Sequence, residues 1–294
     1  MKPNNPSQLA AFYRTWSQKI PCPIIDLHGH WGPFGGSHLP CFQEELFVRT
    51  LVKRGIKQIV CSSHNALLAD PLEGNKEMQE AIDRHCGVLL GYWAVNPNYP
   101  LLAKRAPTDI GKSRGFVGFK FLPDYHVYPL NGDMYKPSLE YADANKKIVL
   151  IHTWGGSAFN APEQVAPLAE KYSKTIFIMG HSGYGQWEVS AKIANEYSNV
   201  YLDITAVYAA HDFAMQPTGS GTPMALLSCL QVNGIIEFMT EKAGSDKIVF
   251  GTDMPWYSPS YALGSILFAK IDEDARRNIL YRNAERILNI CRKE

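Results

Sequence analysis

The sequence predicts an α/β fold, a single (β/α)₈ TIM barrel, from three observations. Short apolar runs alternate with amphipathic stretches about eight times along the 294 residues, which is typical of a parallel sheet covered by helices. The Gly-x-Gly-x-x-Gly that often marks an open doubly wound sheet does not follow the first run. The length suits one barrel, and no linker divides the chain. We therefore expect one domain, residues 1–294, in which residues 1–23 form an N-terminal arm.

The first β-α-β unit sets the pattern for the rest. Met1 to Pro23 holds four prolines and few periodic apolar positions, so it is expected as a short helix or arm. An apolar strand begins at Ile24 and is followed by a loop rich in Gly and Pro. Phe42 to Arg54 has apolar residues at helical spacing, and Gly55 ends that helix. The second strand, Ile56 to Cys61, completes the unit.

The same alternation continues to the C-terminus. Further strands are predicted at Val88 to Val95, Phe116 to Leu122, Ile148 to His152, Thr175 to Gly180, Val200 to Ile204 and Ile248 to Gly251. Further helices are predicted at Lys76 to His85, Ser138 to Lys147, Pro162 to Tyr172, Trp187 to Tyr197, Ile235 to Ala243 and Glu273 to Cys291. Asn96 to Gly115 is expected to be irregular. Ala206 to Val232 is long for a βα loop and is predicted to be a lid-like insertion or a subunit contact.

Composition narrows the class of partner. The formal net charge is +1, from 29 basic and 28 acidic residues, which argues against nucleic acid or an anionic membrane and favours a small-molecule substrate. Six scattered cysteines without a Cys-x-x-Cys pair indicate reduced thiols. A polar N-terminus and the absence of an apolar run of roughly 18 residues predict a soluble, cytoplasmic protein. A homodimer is the default expectation.

The first predicted strand ends in His28-Gly29-His30, and this motif is the first indication of function. Side chains alternate along a strand, so Asp26, His28 and His30 are expected on one side. Two imidazoles that point the same way can chelate a divalent ion. The pattern alone is equally compatible with one core histidine and one exposed histidine.

Polar side chains also follow four other predicted strands, at the barrel end where active sites lie. Lys120 lies on strand four, His152 ends strand five, His181 follows strand six and Asp253 follows strand eight. Each has an ordinary structural explanation when taken alone. Their convergence at one end of the barrel predicts a metal site.

These residues and their contexts resemble the amidohydrolase superfamily. Asp-Leu-His-Gly-His, Ile-His-Thr, Gly-His-Ser-Gly and Phe-Gly-Thr-Asp-Met-Pro-Trp are similar to its amidohydrolase-related branch, which includes the aminocarboxymuconate-semialdehyde-decarboxylase-like enzymes. The resemblance implies that His28, His30, His152 and Asp253 bind one divalent metal, with zinc favoured and two ions as the alternative. It implies a catalytic role, or ligation of a second metal, for His181. Lys120 would bridge two metals when carboxylated, or bind a substrate carboxylate, which we favour.

Aromatic residues follow the predicted ligands closely. Trp31, Trp154, Tyr184 and Trp256 are predicted to contact substrate, and together they favour a ring-containing or unsaturated ligand over a sugar phosphate. Trp187 and Tyr257 lie nearby in sequence, and His211, in the predicted lid, is also predicted to contact substrate. His64, His126 and Tyr128 are further candidates for substrate contact.

Two reactions fit this set. The expected one is hydrolysis of an amide, lactone or ester by metal-activated water, in which Asp253 moves the proton and His181 stabilises the oxyanion. The alternative is decarboxylation of a small unsaturated or aromatic acid. The absence of an arginine at a strand end favours hydrolysis, because arginine commonly binds carboxylates. A barrel that only binds ligands would be expected to lack one of these residues, and none is missing.

Overall fold

The computed structural model describes residues 7–14, 20–207 and 224–292. Eight parallel strands follow one another in chain order around one sheet. They are β1 (Ile24–Trp31), β2 (Ile56–Ser63), β3 (Leu89–Val95), β4 (Phe116–Phe121), β5 (Ile148–Trp154), β6 (Ile176–Tyr184), β7 (Val200–Asp203) and β8 (Ile248–Val249). The Leu27 amide donates to Phe250 O at 2.9 Å and the His30 amide to Met254 O at 2.7 Å. These bonds join β1 to the chain after β8, so the predicted (β/α)₈ barrel is confirmed.

Helices cover the outside of the barrel. The α-helices are Gln8–Arg14, Glu44–Arg54, His64–Leu68, Pro71–Arg84, Pro100–Lys112, Lys136–Ala144, Val165–Lys171, Trp187–Glu196, Met224–Ala243, Pro259–Leu267, Glu273–Arg277 and Asn283–Arg292. Gly55 ends its helix as predicted, in the left-handed conformation at φ 74°, where its amide caps the carbonyls of Leu51 and Val52. Asp70 starts another helix by accepting from the amides of Leu72 and Glu73.

Three α-helices among the described residues were not predicted, namely His64–Leu68, Pro100–Lys112 and Pro259–Leu267. The stretch expected to be irregular contains the helix Pro100–Lys112, which tolerates Pro107 in its interior. Ala103, Ala106 and Ile110 face the core, and their burial outweighs the unfavourable proline. The helix Pro259–Leu267, begun by a cap from the Ser258 side chain, was not predicted at all. Residues 208–223 of the predicted lid lie outside the described residues, and the helix Met224–Ala243 begins within its remainder.

The barrel interior is apolar below the strand ends. Its buried side chains form one cluster with residues of the last helix: Ile25, Leu27, Val60, Leu90, Tyr92, Val117, Ile148, Leu150, Ile176, Ile178, Tyr201, Val249, Ala284, Ile287, Leu288 and Cys291. The last helix therefore closes the N-terminal end of the barrel. In the part of the chain that the structure describes, no helix is long and apolar enough to cross a bilayer.

A β-bulge lies in β1 between Asp26 and Gly29 and contains His28. Asp26 pairs with Ile59 and Gly29 with Cys61, so three steps along β1 match two along β2. The simple alternation predicted for this strand is therefore interrupted. Asp26 does not join the two histidines in the site but lies behind them, where it accepts a 3.0 Å hydrogen bond from the His28 amide.

Candidate metal centre

Three buried side chains from the two ends of the sheet converge on one point. His28, His30 and Asp253 each offer a ligand atom, and these atoms lie within 4.8 Å of one another. His30 Nε2 is 3.1 Å from Asp253 Oδ1, and His28 Nε2 is 3.7 Å from the same oxygen. The closure of the barrel between β1 and β8 brings together residues that are more than 200 positions apart in sequence.

The tautomer of His28 is fixed from behind by Asp203 at the end of β7. His28 Nδ1 donates to Asp203 Oδ2 at 2.6 Å, and both side chains are fully buried. The other ring nitrogen, Nε2, therefore presents its lone pair to the site. Lys120 Nζ donates to that lone pair at 2.8 Å. Burial and the Lys120 charge both lower the pKa of His28, which keeps the ring neutral.

His30 is held by polar and stacking contacts. Ser62 Oγ lies 3.1 Å from its Nδ1, and the His64 ring stacks on it at 4.7 Å. His64 in turn donates from Nδ1 to Gly32 O at 3.0 Å and accepts at Nε2 from Trp256 Nε1 at 3.0 Å. Burial lowers the pKa of His64 to about 3. The neutral His64 ring thus links His30 to the aromatic side chain that follows Asp253.

Asp253 occupies a strained backbone position. Its φ is 59°, which is uncommon for a residue with a side chain, and two backbone bonds hold it there. Its amide donates to His28 O at 2.9 Å, and its carbonyl accepts from the Trp256 amide at 2.7 Å. Burial raises the pKa of Asp253, but the hydrogen bond from His30 and the nearby histidines more than offset this and lower it. Asp253 is therefore an anion.

The turn before Asp253 is tied to β1 by Asp26. Thr252 Oγ1 donates to Asp26 Oδ2 at 2.6 Å, and the Thr252 amide lies 3.2 Å from Asp26 Oδ1. Burial raises the pKa of Asp26 to about 7. Because Asp26 also binds the His28 amide, it fixes the backbone of both sides of the ligand group.

His181 was predicted to follow β6 but lies within its last part, in the left-handed region at φ 62°. Its amide donates to Asp203 Oδ1 at 2.8 Å, and its Nδ1 lies 3.1 Å from Thr205 O. Its Nε2 faces His152 Nδ1 at 2.9 Å. Burial and the neighbouring His152 lower the pKa of His181 to about 3. Asp203 thus orients His28 with one carboxylate oxygen and His181 with the other.

His152 stands apart from the three clustered ligands. It was predicted to end β5, but the strand continues to Trp154. Its Nε2 faces Asp124 Oδ2 at 3.4 Å and its Nδ1 faces His181. Burial raises the pKa of Asp124, yet the hydrogen bond and charge of His152 lower it overall. His152 is therefore positioned beside the site by its contacts with His181 and Asp124.

Lys120 is the cation beneath the site. Only 1% of the residue is exposed. Burial lowers the pKa of Lys120 to about 8, against the charges of Asp253, Asp203 and Asp124, which raise it. The amine is therefore held within reach of the ligand group by β4 and is shielded from solvent.

Two glycines leave room for the His28 ring. A Cβ at Gly180 would lie 3.1 Å from His28 Cε1, and one at Gly251 would lie 3.0 Å from His28 Cβ. Each also meets a neighbouring group more closely. Side chains at these positions would displace the ligand, which explains why glycine occupies position 180 in β6 and position 251 after β8.

A cavity of about 230 Å³ opens above these ligands. It is lined by His30, Phe34, His64, Leu67, Leu68, Leu122, Tyr125, His152, Trp154, His181, Tyr184, Ala206, Asp253, Trp256 and Tyr257. Trp154 and Tyr184 stack at 4.2 Å with 11° between their planes, and His152 lies parallel to Trp154 at 5.7 Å. A cavity of about 150 Å³ accommodates benzene. The cavity therefore has the size and the flat aromatic wall for a monocyclic ring.

Some predicted substrate contacts lie elsewhere. Trp31 points away from the cavity and packs edge-on against Phe47 at 5.3 Å, because alternation along β1 turns it opposite to His30. His126 is buried and lies 2.7 Å from Leu67 O, and the Tyr128 hydroxyl accepts from the Met134 amide. Trp187 is buried behind Tyr184. The predicted contact His211 lies outside the described residues.

Sequence reasoning missed Asp203 and Asp124. Asp203 ends β7 and Asp124 follows β4, so both occupy the barrel end at which the other site residues were found. That position was the available signal. Neither residue stood out, because an aspartate at a strand end is also ordinary turn chemistry.

The donor set fits a divalent metal. Two neutral imidazoles and an ionised carboxylate offer nitrogen and oxygen ligands. The His28 lone pair already takes a donor proton from Lys120, and Asp203 supports this ring as a carboxylate commonly supports a metal-ligating histidine. The structure thus contains a buried group, His28, His30 and Asp253, whose ligand atoms are close enough together to hold a divalent metal.

Known proteins share the fold and the sequence pattern. The profile of a family described as "Amidohydrolase" matches residues 25–290. The 2,6-dihydroxybenzoate decarboxylase from Rhizobium aligns at 14% identity over 91% of this chain and 99% of its own, with a TM-score of 0.63. The dihydroxybenzoic acid decarboxylase from Polaromonas sp. JS666 was solved with bound manganese and 2-nitroresorcinol. It aligns at 17% identity over 92% of this chain and 98% of its own, with a TM-score of 0.65.

A third structure extends the same group. The 5-carboxyvanillate decarboxylase from Sphingomonas paucimobilis aligns at 12% identity over 91% of this chain and 99% of its own, with a TM-score of 0.64. No curated protein matches the sequence.

The expectation of a hydrolase is overturned by these neighbours, whose named reactions are decarboxylations. The sequence argument against decarboxylation depended on the missing arginine. That argument was wrong because a metal held by His28, His30 and Asp253, with Lys120 beside it, also supplies positive charge for a carboxylate.

Proposed function

The chain belongs to the amidohydrolase family, and from this premise we propose that it is a metal-dependent, non-oxidative decarboxylase of a small aromatic or unsaturated carboxylic acid. The observation that carries the proposal is the position of the His28, His30 and Asp253 group at the base of an aromatic-walled cavity. The three decarboxylases of similar fold support it.

The reaction exchanges a carboxylate for a proton. The bond between the ring carbon and the carboxylate carbon breaks, its electron pair stays on the ring carbon, and a proton forms the new C–H bond as carbon dioxide leaves. When bound, a divalent metal supplies positive charge that holds the substrate's oxygens and draws electron density from the ring. No oxidant or reductant is needed.

Asp253 is the proposed proton carrier. Its Oδ1 faces His30 and His28, and the carboxylate lines the cavity. It takes a proton from water or from an acidic group of the substrate and passes it to the ring carbon. Afterwards it is again a carboxylate.

His181 and Lys120 orient the substrate in this proposal. His181 is neutral at working pH, lines the cavity and is fixed by Asp203 and Thr205. Lys120 is the buried cation that can pair with the departing carboxylate. Trp154 and Tyr184, stacked on each other, form a fixed aromatic wall that limits the orientation in which the ring carbon meets the proton.

The identity of the metal is a finer part of the proposal. Two imidazoles and a carboxylate suit the zinc expected from the sequence. Manganese is present in the neighbour from Polaromonas. Chain stripped with a chelator and reloaded with either ion would show which ion restores the reaction. The single-ion site, the homodimer and the cytoplasmic location stay predictions.

The experiment is a carbon dioxide assay on metal-loaded protein with a panel of hydroxybenzoates. We expect carbon dioxide and the matching phenol in equal amounts, and a fall of about 10²- to 10⁴-fold in kcat for Asp253→Asn. The control is Asp133→Asn, an exposed aspartate of the loop after β4, which should keep full activity. Full activity in Asp253→Asn would overturn the assigned role.

A further inference from the structure

The loops that follow the eight strands carry charge of one sign. Among the described residues they comprise 32–43, 64–70, 96–99, 122–135, 155–161, 185–186, 204–207 and 250–258. None of the chain's 29 Lys and Arg residues lies in these segments, whereas four Asp residues do. Loops after barrel strands build the active site, so the described part of its rim has no fixed cation. Residues 208–223, which lie outside the described residues, contain no Lys or Arg either.

Two lysines lie beside the loop 122–135 in sequence. Lys120 belongs to β4, is 1% exposed, and places Nζ 2.8 Å from His28 Nε2. Lys136 begins the helix after this loop, where its 55% exposed side chain lies 3.9 Å from Glu140. Among the described residues, Lys120 is therefore the cationic side chain in contact with the metal group, which is His28, His30 and Asp253.

The cavity wall beyond the metal group contains no Lys or Arg side chain among the described residues. Phe34, Leu67, Leu68 and Leu122 line it, together with the aromatic rings already described. Asp253 is the sole carboxylate among the described lining residues, and it belongs to the metal group. A second anionic group on a bound ring would therefore lose its water without gaining a cation.

We infer that the substrate is a monocarboxylate whose remaining substituents are uncharged, and that dicarboxylates and phosphorylated acids are rejected. The inference rests on the proposed function and deepens it. One carboxylate is neutralised at the floor by the metal and Lys120, while the ring and its hydroxyls lie between aromatic and leucine side chains. Of the substrates named for the neighbours, 2,6-dihydroxybenzoate has one carboxylate and fits, whereas 5-carboxyvanillate has two.

The test compares two probes of nearly the same shape that differ by one charge. They are 4-hydroxyisophthalate and the analogue in which the carboxylate para to the hydroxyl is replaced by a carboxamide. Quenching of tryptophan fluorescence reports their binding to the metal-loaded protein without turnover, since Trp154 and Trp256 line the cavity. We expect the dianion to bind more weakly, with a Kd about 100-fold higher than that of the carboxamide.

A positive charge introduced into the cavity wall at Leu68 provides a matched variant. Leu68 lines the cavity and is 39% exposed, so a longer polar side chain can be accommodated there. Leu68→Arg should bring the Kd of the dianion to within about fivefold of the carboxamide, whereas Leu68→Gln should leave the difference unchanged.

The outcomes separate the inference from the function on which it rests. Equal affinity of the wild-type protein for both probes, or tighter binding of the dianion, would overturn the monocarboxylate inference and leave decarboxylation standing. Failure of both probes to bind the metal-loaded protein would overturn the proposed aromatic-acid site and the inference together.

Discussion

His28 Nδ1 lies 2.6 Å from Asp203 Oδ2, and neither side chain is exposed to solvent. This pair connects β1 to β7 beneath the metal group and decides which nitrogen of His28 faces the cavity. The same carboxylate accepts from the amides of His181 and Thr205 through Oδ1. Asp203 therefore supports a ligand and a cavity residue at once.

Asp203→Asn should weaken metal binding about 10- to 100-fold. An amide has one acceptor oxygen, so it cannot serve His28 on one side and the two backbone amides on the other. Metal affinity, measured by competition with a chelator dye, checks this expectation. Asp133→Asn is the control. Unchanged metal affinity in a folded Asp203→Asn protein would show that the His28 orientation does not depend on this carboxylate.

Lys120→Met should leave metal binding as tight as in the wild type, or tighter. Lys120 Nζ competes with a metal for the His28 lone pair, and methionine fills the buried space without this competition. The Kd for an aromatic acid should rise about tenfold, because the contact between the Lys120 amine and the substrate carboxylate is lost. A tenfold change in Kd corresponds to about 1.4 kcal/mol. Metal content per chain and probe binding measure the two effects, with the exposed Lys136→Met as control. Loss of metal in Lys120→Met would instead indicate that the lysine is a ligand.

His64 should make the metal-free fold sensitive to acid. Its pKa is 6.5 when free and about 3 when folded, so between these values the unfolded state binds more protons. The free energy of unfolding therefore falls as pH falls through that window. His64→Gln keeps an acceptor for Trp256 but cannot titrate. The free energy of unfolding of this variant should therefore depend less steeply on pH, by about 1.4 kcal/mol per pH unit. Denaturant unfolding at several pH values measures the slopes, and the exposed His38→Gln should match the wild type.

Trp154→Leu should raise KM for an aromatic acid about tenfold with a smaller effect on kcat, because the stacking surface between His152 and Tyr184 is lost. Steady-state kinetics measures the split. Trp93→Leu is a suitable control, since Trp93 packs against Phe116 outside the cavity. Equal KM values in the two variants would show that Trp154 does not contact the ring.

The sequence predicted the barrel and most of the site, because strand ends and polar residues coincide along the chain. It could not predict the helix Pro100–Lys112, whose core contacts outweigh Pro107, or the bulge that moves Asp26 behind His28. Trp31 was misplaced because nearness in sequence to a ligand does not decide which face of a strand a side chain takes. The role of Asp203 depends on the pairing of β7 with the rest of the barrel, which no local motif records.

The most direct test of decarboxylation is the reaction of a metal-loaded chain with a 2-hydroxybenzoate in D₂O, followed by NMR. The account predicts a phenol with one deuterium at the carbon that carried the carboxylate, one carbon dioxide per phenol, and no reaction after the metal is removed. A hydroxybenzoate panel recovered unchanged by metal-loaded protein, or products that keep the carboxylate while water cleaves another bond, would contradict it.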